Sequence, residues 1–205
     1  MLKPIAMLLL LAGCTLQAQA AVSMAQAERL GRDLTPVGGE RAGNAEGTIP
    51  AWTGGITQPP AGYKAGMHHL DPYAADQPLL IIDKNNLNNY RDKLPEGIQQ
   101  LLTLYPDYGV RVYQTRRSAA LPERLYAATR ENATRAKLIS GGNGIEGAAA
   151  GVPFPIPQNG LEAIWNHITR YRGEQLRMIT NQAAVLSNGR YNLLKLDRVI
   201  YFVYN

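Results

Sequence analysis

Asn188-Gly189 stands between two stretches in which apolar and polar residues alternate, and no other feature of the sequence narrows the fold as far. From Glu174 the period is two: Leu176 and Met178 fall on one side, Arg177 on the other, and the run reaches Leu186. An Asn-Gly pair flanked by such runs is the strongest short-range hairpin signal, because a two-residue turn needs positive φ at both central positions. A two-residue loop predicts that Leu186 faces Tyr191, Met178 faces Val199 and Leu176 faces Tyr201. The second strand ends in VIYFVYN, apolar on both sides, which suits a strand covered on both faces or lining an apolar interior. The pattern runs to Asn205 with no turn or cap. Such a strand is expected either to pair with an earlier one or to belong to a sheet completed by residues outside this chain.

The beginning of the chain reads differently. Ser23 to Leu30 suits two helical turns, with Ser23 as N-cap, Gln26 completing a capping box and Gly31 as the stop. Residues 34–78 carry Pro36, Pro50, Pro59, Pro60, Pro72 and Pro78 among many glycines, which disfavours long helices and central strands. With Trp52, Ile56, Tyr63 and Tyr73 at intervals, this stretch is expected to be a long extended arm laid on a scaffold. Residues 83–172 read mainly as helices and loops. Asp83 opens a helical pattern through Leu87, Tyr90 and Leu94, and Ile98 to Tyr105 continue it beyond Pro95. Val110 to Tyr113 is a short strand, Pro122 to Thr134 a helix, and residues 140–157 a loop rich in glycine and proline. Asn159 caps a further helix running to Gly173, with Leu161, Ile164, Trp165, Ile168 and Tyr171 on one face. Residues 174–205 form the β-hairpin.

Two processing signals overlap near the start. Ile5 to Leu11 is apolar, follows Lys3 and is far too short to span a bilayer, so residues 1–20 read as a secretory signal. Ala18-Gln19-Ala20 has the form of a signal-peptidase site, with cleavage between Ala20 and Ala21 and a soluble periplasmic product. Leu11-Ala12-Gly13-Cys14 has the form of a lipobox, which would instead anchor the chain to the outer membrane through Cys14. Cys14 is the single cysteine of the 205 residues, so a cut after Ala20 leaves no disulfide, thiolate metal ligand or cysteine nucleophile. The formal charge of +5 is mild and scattered, with no basic run of the kind that tracks nucleic acid.

No catalytic constellation emerges. Gly142 to Gly147 fits G-x-G-x-x-G, but no helix start follows it, so no dinucleotide cofactor is expected. His68, His69 and His167 lack any metal-binding spacing, and no metal is expected. No G-x-S-x-G elbow is present, and the acidic residues share no evident face. Arg116-Arg117 beside Tyr113 could grip an acidic head group or form a solvated turn. Trp165, Ile168 and Tyr171, with Met178, Val199 and Tyr201 of the hairpin, are the candidates for lining a hydrophobic-ligand pocket. Plain core packing is the other reading of the helix face.

Several long stretches carry a resemblance. LGRDLTPVGGERAGNAEGTIPAWTGG (30–55), PPAGYKAG (59–66), YPDYGVRVYQTRRSAALPERLY (105–126) and GGNGIEGAAAGVPFPIPQNGLEAIWNHITRYRG (141–173) resemble a family of exported proteobacterial proteins. It is the domain-of-unknown-function family number thirteen twenty-nine, described as outer membrane lipoprotein-sorting-like. The resemblance implies an α+β fold with a strongly curved antiparallel β-sheet, an unclosed barrel like that of the lipoprotein carriers, packed with helices over a hydrophobic cavity. It implies release just before a segment like Ala21-Val22-Ser23, and it brings no catalytic residues. Family members are longer, so this chain resembles their N-terminal half, one incomplete domain over residues 21–205. The expected function is non-enzymatic binding or carriage of a lipid, acyl chain or lipoprotein in the periplasm. The alternatives are an envelope scaffold docking a protein partner and, third, a hydrolase.

Overall fold

A computed structural model describes residues 22–205; Cys14, Ala20 and Ala21 lie outside the described residues. In chain order the elements are α1 (Met24–Ala27), β1 (Leu80–Ile82), α2 (Glu96–Leu104), β2 (Val110–Val112), α3 (Glu123–Arg135), β3 (Lys137–Ile139), β4 (Gly144–Glu146), α4 (Gly160–Ile168), β5 (Gln175–Val185) and β6 (Tyr191–Tyr201). The fold is α+β with antiparallel pairing throughout. The described strands form three two-stranded sheets, β1–β2, β3–β4 and β5–β6, and no closed barrel. The described residues of this antiparallel framework hold two pairs of three-residue strands and one pair of eleven-residue strands. They divide into two compact units, residues 31–122 and residues 22–30 with 123–205, a division absent from the sequence reading.

In the unit of residues 31–122, Leu80 lies opposite Val112 and Ile82 opposite Val110, so those four side chains share one face of the β1–β2 pair. That face packs on α2 through buried Ile82, Leu87 and Leu102, with Tyr90, Leu94 and Ile98 around them. The helix expected from Asp83 to Leu94 is not formed; two 3-10 turns, Leu87–Asn89 and Arg91–Lys93, stand in its place. The cause is local competition for backbone groups. Asp83 Oδ1 accepts from the amides of Asn85 and Asn86, Asn86 Oδ1 accepts from the amide of Asp83, and the Asn86 amide group donates to Ile81 O. Side chains that satisfy the backbone this way offer it an alternative to a helix. The Asn85 amide donor also holds the Asp83 carboxyl below its ordinary pKa.

Residues 35–79 contain neither helix nor strand beyond one bridge, Leu34–Glu40, as the prolines and glycines dictate. The arm is fastened by long-range contacts within its unit. The Trp52 indole donates to Ala119 O at 2.9 Å, and Ile56 N donates to Ser118 O at 2.9 Å. The Arg117 guanidinium donates to four carbonyls, those of Glu40 (2.6 Å), Arg41 (3.2 Å), Ala42 (3.2 Å) and Pro50 (3.3 Å).

In the other unit, Ser23 and Gln26 form the expected capping box at α1. The glycine-rich segment after β4 is held by side chains of α3 and α4. Thr129, fully buried, donates to Leu125 O (2.6 Å) and accepts from Val152 N (2.9 Å). Asn132 donates to the carbonyls of Ala150 and Val152, and Asn166 exchanges two bonds with Phe154. Asn159 Oδ1 caps α4 by accepting from Glu162 N, while Glu162 accepts in turn from Gln158 N. The helix stops at Ile168 rather than reaching Gly173: Thr169 Oγ1 takes the carbonyl of Trp165 and Arg170 that of His167.

The β5–β6 hairpin exists as expected, but its register does not. Gln175 faces Tyr201, Leu176 faces Ile200, Arg177 faces Val199 and Met178 faces Arg198. The loop has three residues, Ser187 to Gly189. Leu186 N donates to Arg190 O, Gly189 N donates to Leu186 O, and Asn188 Oδ1 accepts from Arg190 N. Gly189 has φ 79°, whereas Asn188 is not among the described non-glycine residues with positive φ. One left-handed glycine after a turn is the three-residue alternative to the expected two-residue turn. The added residue shifts every cross-strand pair by one and moves side chains to the opposite face.

VIYFVYN also departs from expectation. The strand ends at Tyr201, and a turn follows, with Asn205 N donating to Phe202 O. Tyr204 O accepts from Ala150 N at 2.6 Å, and the Tyr204 hydroxyl donates to Ala150 O at 3.2 Å. Burial pushes the Tyr204 hydroxyl up to about 12, with Asn132 offsetting part of the rise. Because the folded state holds this proton more tightly than an unfolded chain, its contribution to stability is full below about pH 10. It is lost as pH rises from there to about 12. Urea midpoints across that window are expected to fall less steeply for Tyr204→Phe than for the parent; identical slopes would exclude this assignment.

Candidate functional site

The six residues singled out from the sequence do not converge on one surface. The Trp165 indole donates to Gly142 O at 2.9 Å, which ties α4 to the turn before β4. Ile168 is 52% exposed on α4, and Tyr171 is half-buried with the Arg124 guanidinium 5.8 Å over its ring. Met178 lies on the same face of the hairpin as Arg198, whose Nη2 approaches its sulfur at 3.6 Å. Val199 and Tyr201 lie on the opposite face, the one carrying the Arg177–Asp197 ion pair at 2.8 Å. That pair lowers the Asp197 pKa and raises that of Arg177, chiefly through its hydrogen bonds.

The two arginines proposed for an acidic head group already have partners. Arg116 forms an ion pair with Asp76 at 2.6 Å and sits 4.7 Å from the centre of the Tyr73 ring; Arg117 holds the four arm carbonyls. The G-x-G-x-x-G stretch lies in the β3–β4 hairpin, with Lys137 opposite Glu146 and Ile139 opposite Gly144, so no helix N-terminus follows it. Among the described residues, no group of three or more His, Cys, Asp or Glu is placed to hold a metal ion.

A site that sequence reasoning missed lies in the unit of residues 31–122. A groove of about 530 Å³ opens beside the β1–β2 pair, within the ordinary range for small-molecule sites. Its apolar wall is Leu79, Leu80, Ile82, Leu94 and Val112. Tyr90, Lys93, Tyr113, Gln114 and Thr115 add polar groups, and Gly47 and Thr48 of the arm close one side. Leu80, Ile82, Tyr90, Leu94 and Val112 also pack on the Leu102 core, so the floor is part of the folded framework. A smaller hollow of about 260 Å³ between α1 and α3 is lined in part by Glu28, Arg130, Glu131 and Arg135, a charged rim poorly suited to an apolar guest.

The lining comes from four separated segments, at residues 47–48, 79–82, 90–94 and 112–115, brought together by antiparallel pairing of two three-residue strands. The signal available in the sequence was weak: Leu79-Leu80-Ile81-Ile82, a short apolar run directly after Pro78, reads as a strand on inspection. No helix among the described residues is long and apolar enough to cross a membrane.

The model of the family described as "Protein of unknown function (DUF1329)" matches residues 81–205. An uncharacterized protein of Pseudomonas aeruginosa is 48% identical over 179 residues, covering 87% of this chain and 39% of that protein. The chain thus spans well under half the length of the curated relative it matches. No solved structure matches. The match over more than half of its residues places the chain in the DUF1329 family of proteins of unknown function.

Proposed function

We propose that the protein is a non-enzymatic binder of a hydrophobic ligand, with the groove beside the β1–β2 pair as its site. The observation that carries this reading is the groove itself, about 530 Å³ with an apolar wall that packs on the buried Leu102 core. Removing an acyl or similar apolar chain from water there contributes about 0.8 kcal/mol for each methylene buried. The leader-like residues 1–20 and the Ala20–Ala21 site support a role in the periplasm after export. The scaffold reading draws less support, since within its own unit Trp52 of the arm is engaged by Ala119 and the arm carbonyls of Glu40, Arg41, Ala42 and Pro50 are engaged by Arg117.

Fluorescence titration with N-phenyl-1-naphthylamine, an uncharged apolar dye, tests this. Saturable one-to-one binding is expected. Leu79→Asp is the informative variant, because Leu79 is 70% exposed yet lines the groove, so the change adds a charge there without emptying the core. It is expected to weaken binding by at least about tenfold. Ile168→Asp on α4 is expected to leave binding unchanged. Absence of saturable binding, or equal binding by Leu79→Asp and the parent, would remove the groove from consideration.

A further inference from the structure

The geometry points to an anionic single-chain amphiphile, a fatty-acid-like carboxylate, as the ligand of this groove, with Lys93 binding the head group. The inference rests on the groove reading above and adds a charge to it. Among the described residues, Lys93 is the one charged residue lining the groove, and no aspartate or glutamate lines it. It closes the 3-10 turn Arg91–Lys93, directly before half-buried Leu94 on the apolar wall. A lysine so placed can lay its methylene stem along that wall and keep its ammonium in water at the mouth.

Lys93 takes part in none of the ion pairs of the described residues, in contrast to Arg116, Arg124, Arg135 and Arg177. A neutral apolar guest leaves that ammonium as it is, whereas a carboxylate gains a charge-assisted hydrogen bond from it. The Tyr90 and Tyr113 side chains also line the groove and can donate to the same head group. A cationic amphiphile finds no counter-charge. The volume suits one chain rather than a peptide helix, whose diameter alone is about 10 Å.

Calorimetric titration of the 205-residue chain with decanoate, decanol and decyltrimethylammonium, each below its micelle concentration at neutral pH, decides the matter. Decanoate is expected to bind about fivefold more tightly than decanol, and the cation most weakly. The preference is expected to shrink as salt is added. Lys93→Gln should bring decanoate down to about the affinity of decanol while changing decanol far less, and Lys93→Arg should restore the difference. Retained decanol binding also reports that the variant is folded. Equal affinities for decanoate and decanol in the parent would overturn the head-group assignment and leave the groove reading standing. So would a decanoate preference that survives Lys93→Gln. Failure of all three to bind would remove both.

Discussion

Leu102→Ala is expected to destabilise the unit of residues 31–122 by about 2–5 kcal/mol, among the largest effects of any single truncation in it. Leu102 has no exposed surface and lies in one cluster with Ile82 and Leu87, surrounded by Leu80, Tyr90, Leu94, Ile98, Val110 and Val112. Shortening it removes buried methyl groups and leaves a cavity whose walls are two short strands and one helix. The transfer and cavity terms therefore add. Because Leu80, Ile82, Leu94 and Val112 line the groove as well, collapse into the vacated space would deform its floor. Urea denaturation should show the lowered midpoint, and affinity for the uncharged dye should fall in the same variant although Leu102 is not itself a lining residue. A large stability loss with unchanged dye binding would mean that the groove does not share this core.

The second large effect is expected at Gly151, in the loop that packs on α3. Its φ is +67°, and a Cβ there would lie 2.6 Å from Thr129 Oγ1 and 2.7 Å from Leu125 O. The left-handed backbone costs a non-glycine residue about 1–2 kcal/mol. The collision comes on top, because the Leu125 carbonyl belongs to a helix and cannot swing aside as a side chain would. Relief requires moving residue 151 outward, which breaks the Val152 N to Thr129 Oγ1 bond and leaves the buried hydroxyl half satisfied. Gly151→Ala is expected to cost about 2–4 kcal/mol in total. Gly160 provides the contrast. It opens α4 with nothing within 4 Å of an added Cβ and without a positive φ, so Gly160→Ala should be neutral or stabilise by up to about 1 kcal/mol. Urea midpoints for the two variants should move in opposite directions or by very different amounts; equal shifts would refute the steric account.

Elements whose cause is local were readable in the sequence. The Ser23–Gln26 box, the Asn159 cap and helix α3 each depend on residues a turn apart, and each forms within a few residues of its expected place. The register of β5–β6 was not readable, because Asn-Gly serves a two-residue loop and a three-residue loop alike. What separates them is whether Asn188 itself turns left-handed. That single unread torsion decided which face Met178 shares with Arg198 rather than Val199. The stretch from Asp83 to Leu94 failed for another reason. Its apolar spacing fitted a helix, while Asp83 and Asn86 supplied side-chain partners that made the helix unnecessary. The groove was least legible of all, since its wall unites residues from Gly47 to Thr115 and no periodicity spans such distances.

The Arg117 anchorage has a bearing on how the chain reaches its fold. Its bond to Glu40 O joins residues 77 apart, and the Trp52 bond to Ala119 joins residues 67 apart. As the polypeptide is made from its N-terminus, the whole arm emerges before the groups that fasten it exist. Contacts of such long range must first overcome the entropy of closing the intervening loop, and folds rich in them form slowly. The segment from Glu40 to Pro50 can close its own turn through the Asn44–Ile49 bonds, but its anchorage to Arg117 forms only when the 117–119 stretch arrives, after β1, α2 and β2 have been made. Order in the proline-rich arm is thus completed late, by the Arg117 guanidinium and the carbonyls of Ser118 and Ala119, more than sixty residues downstream.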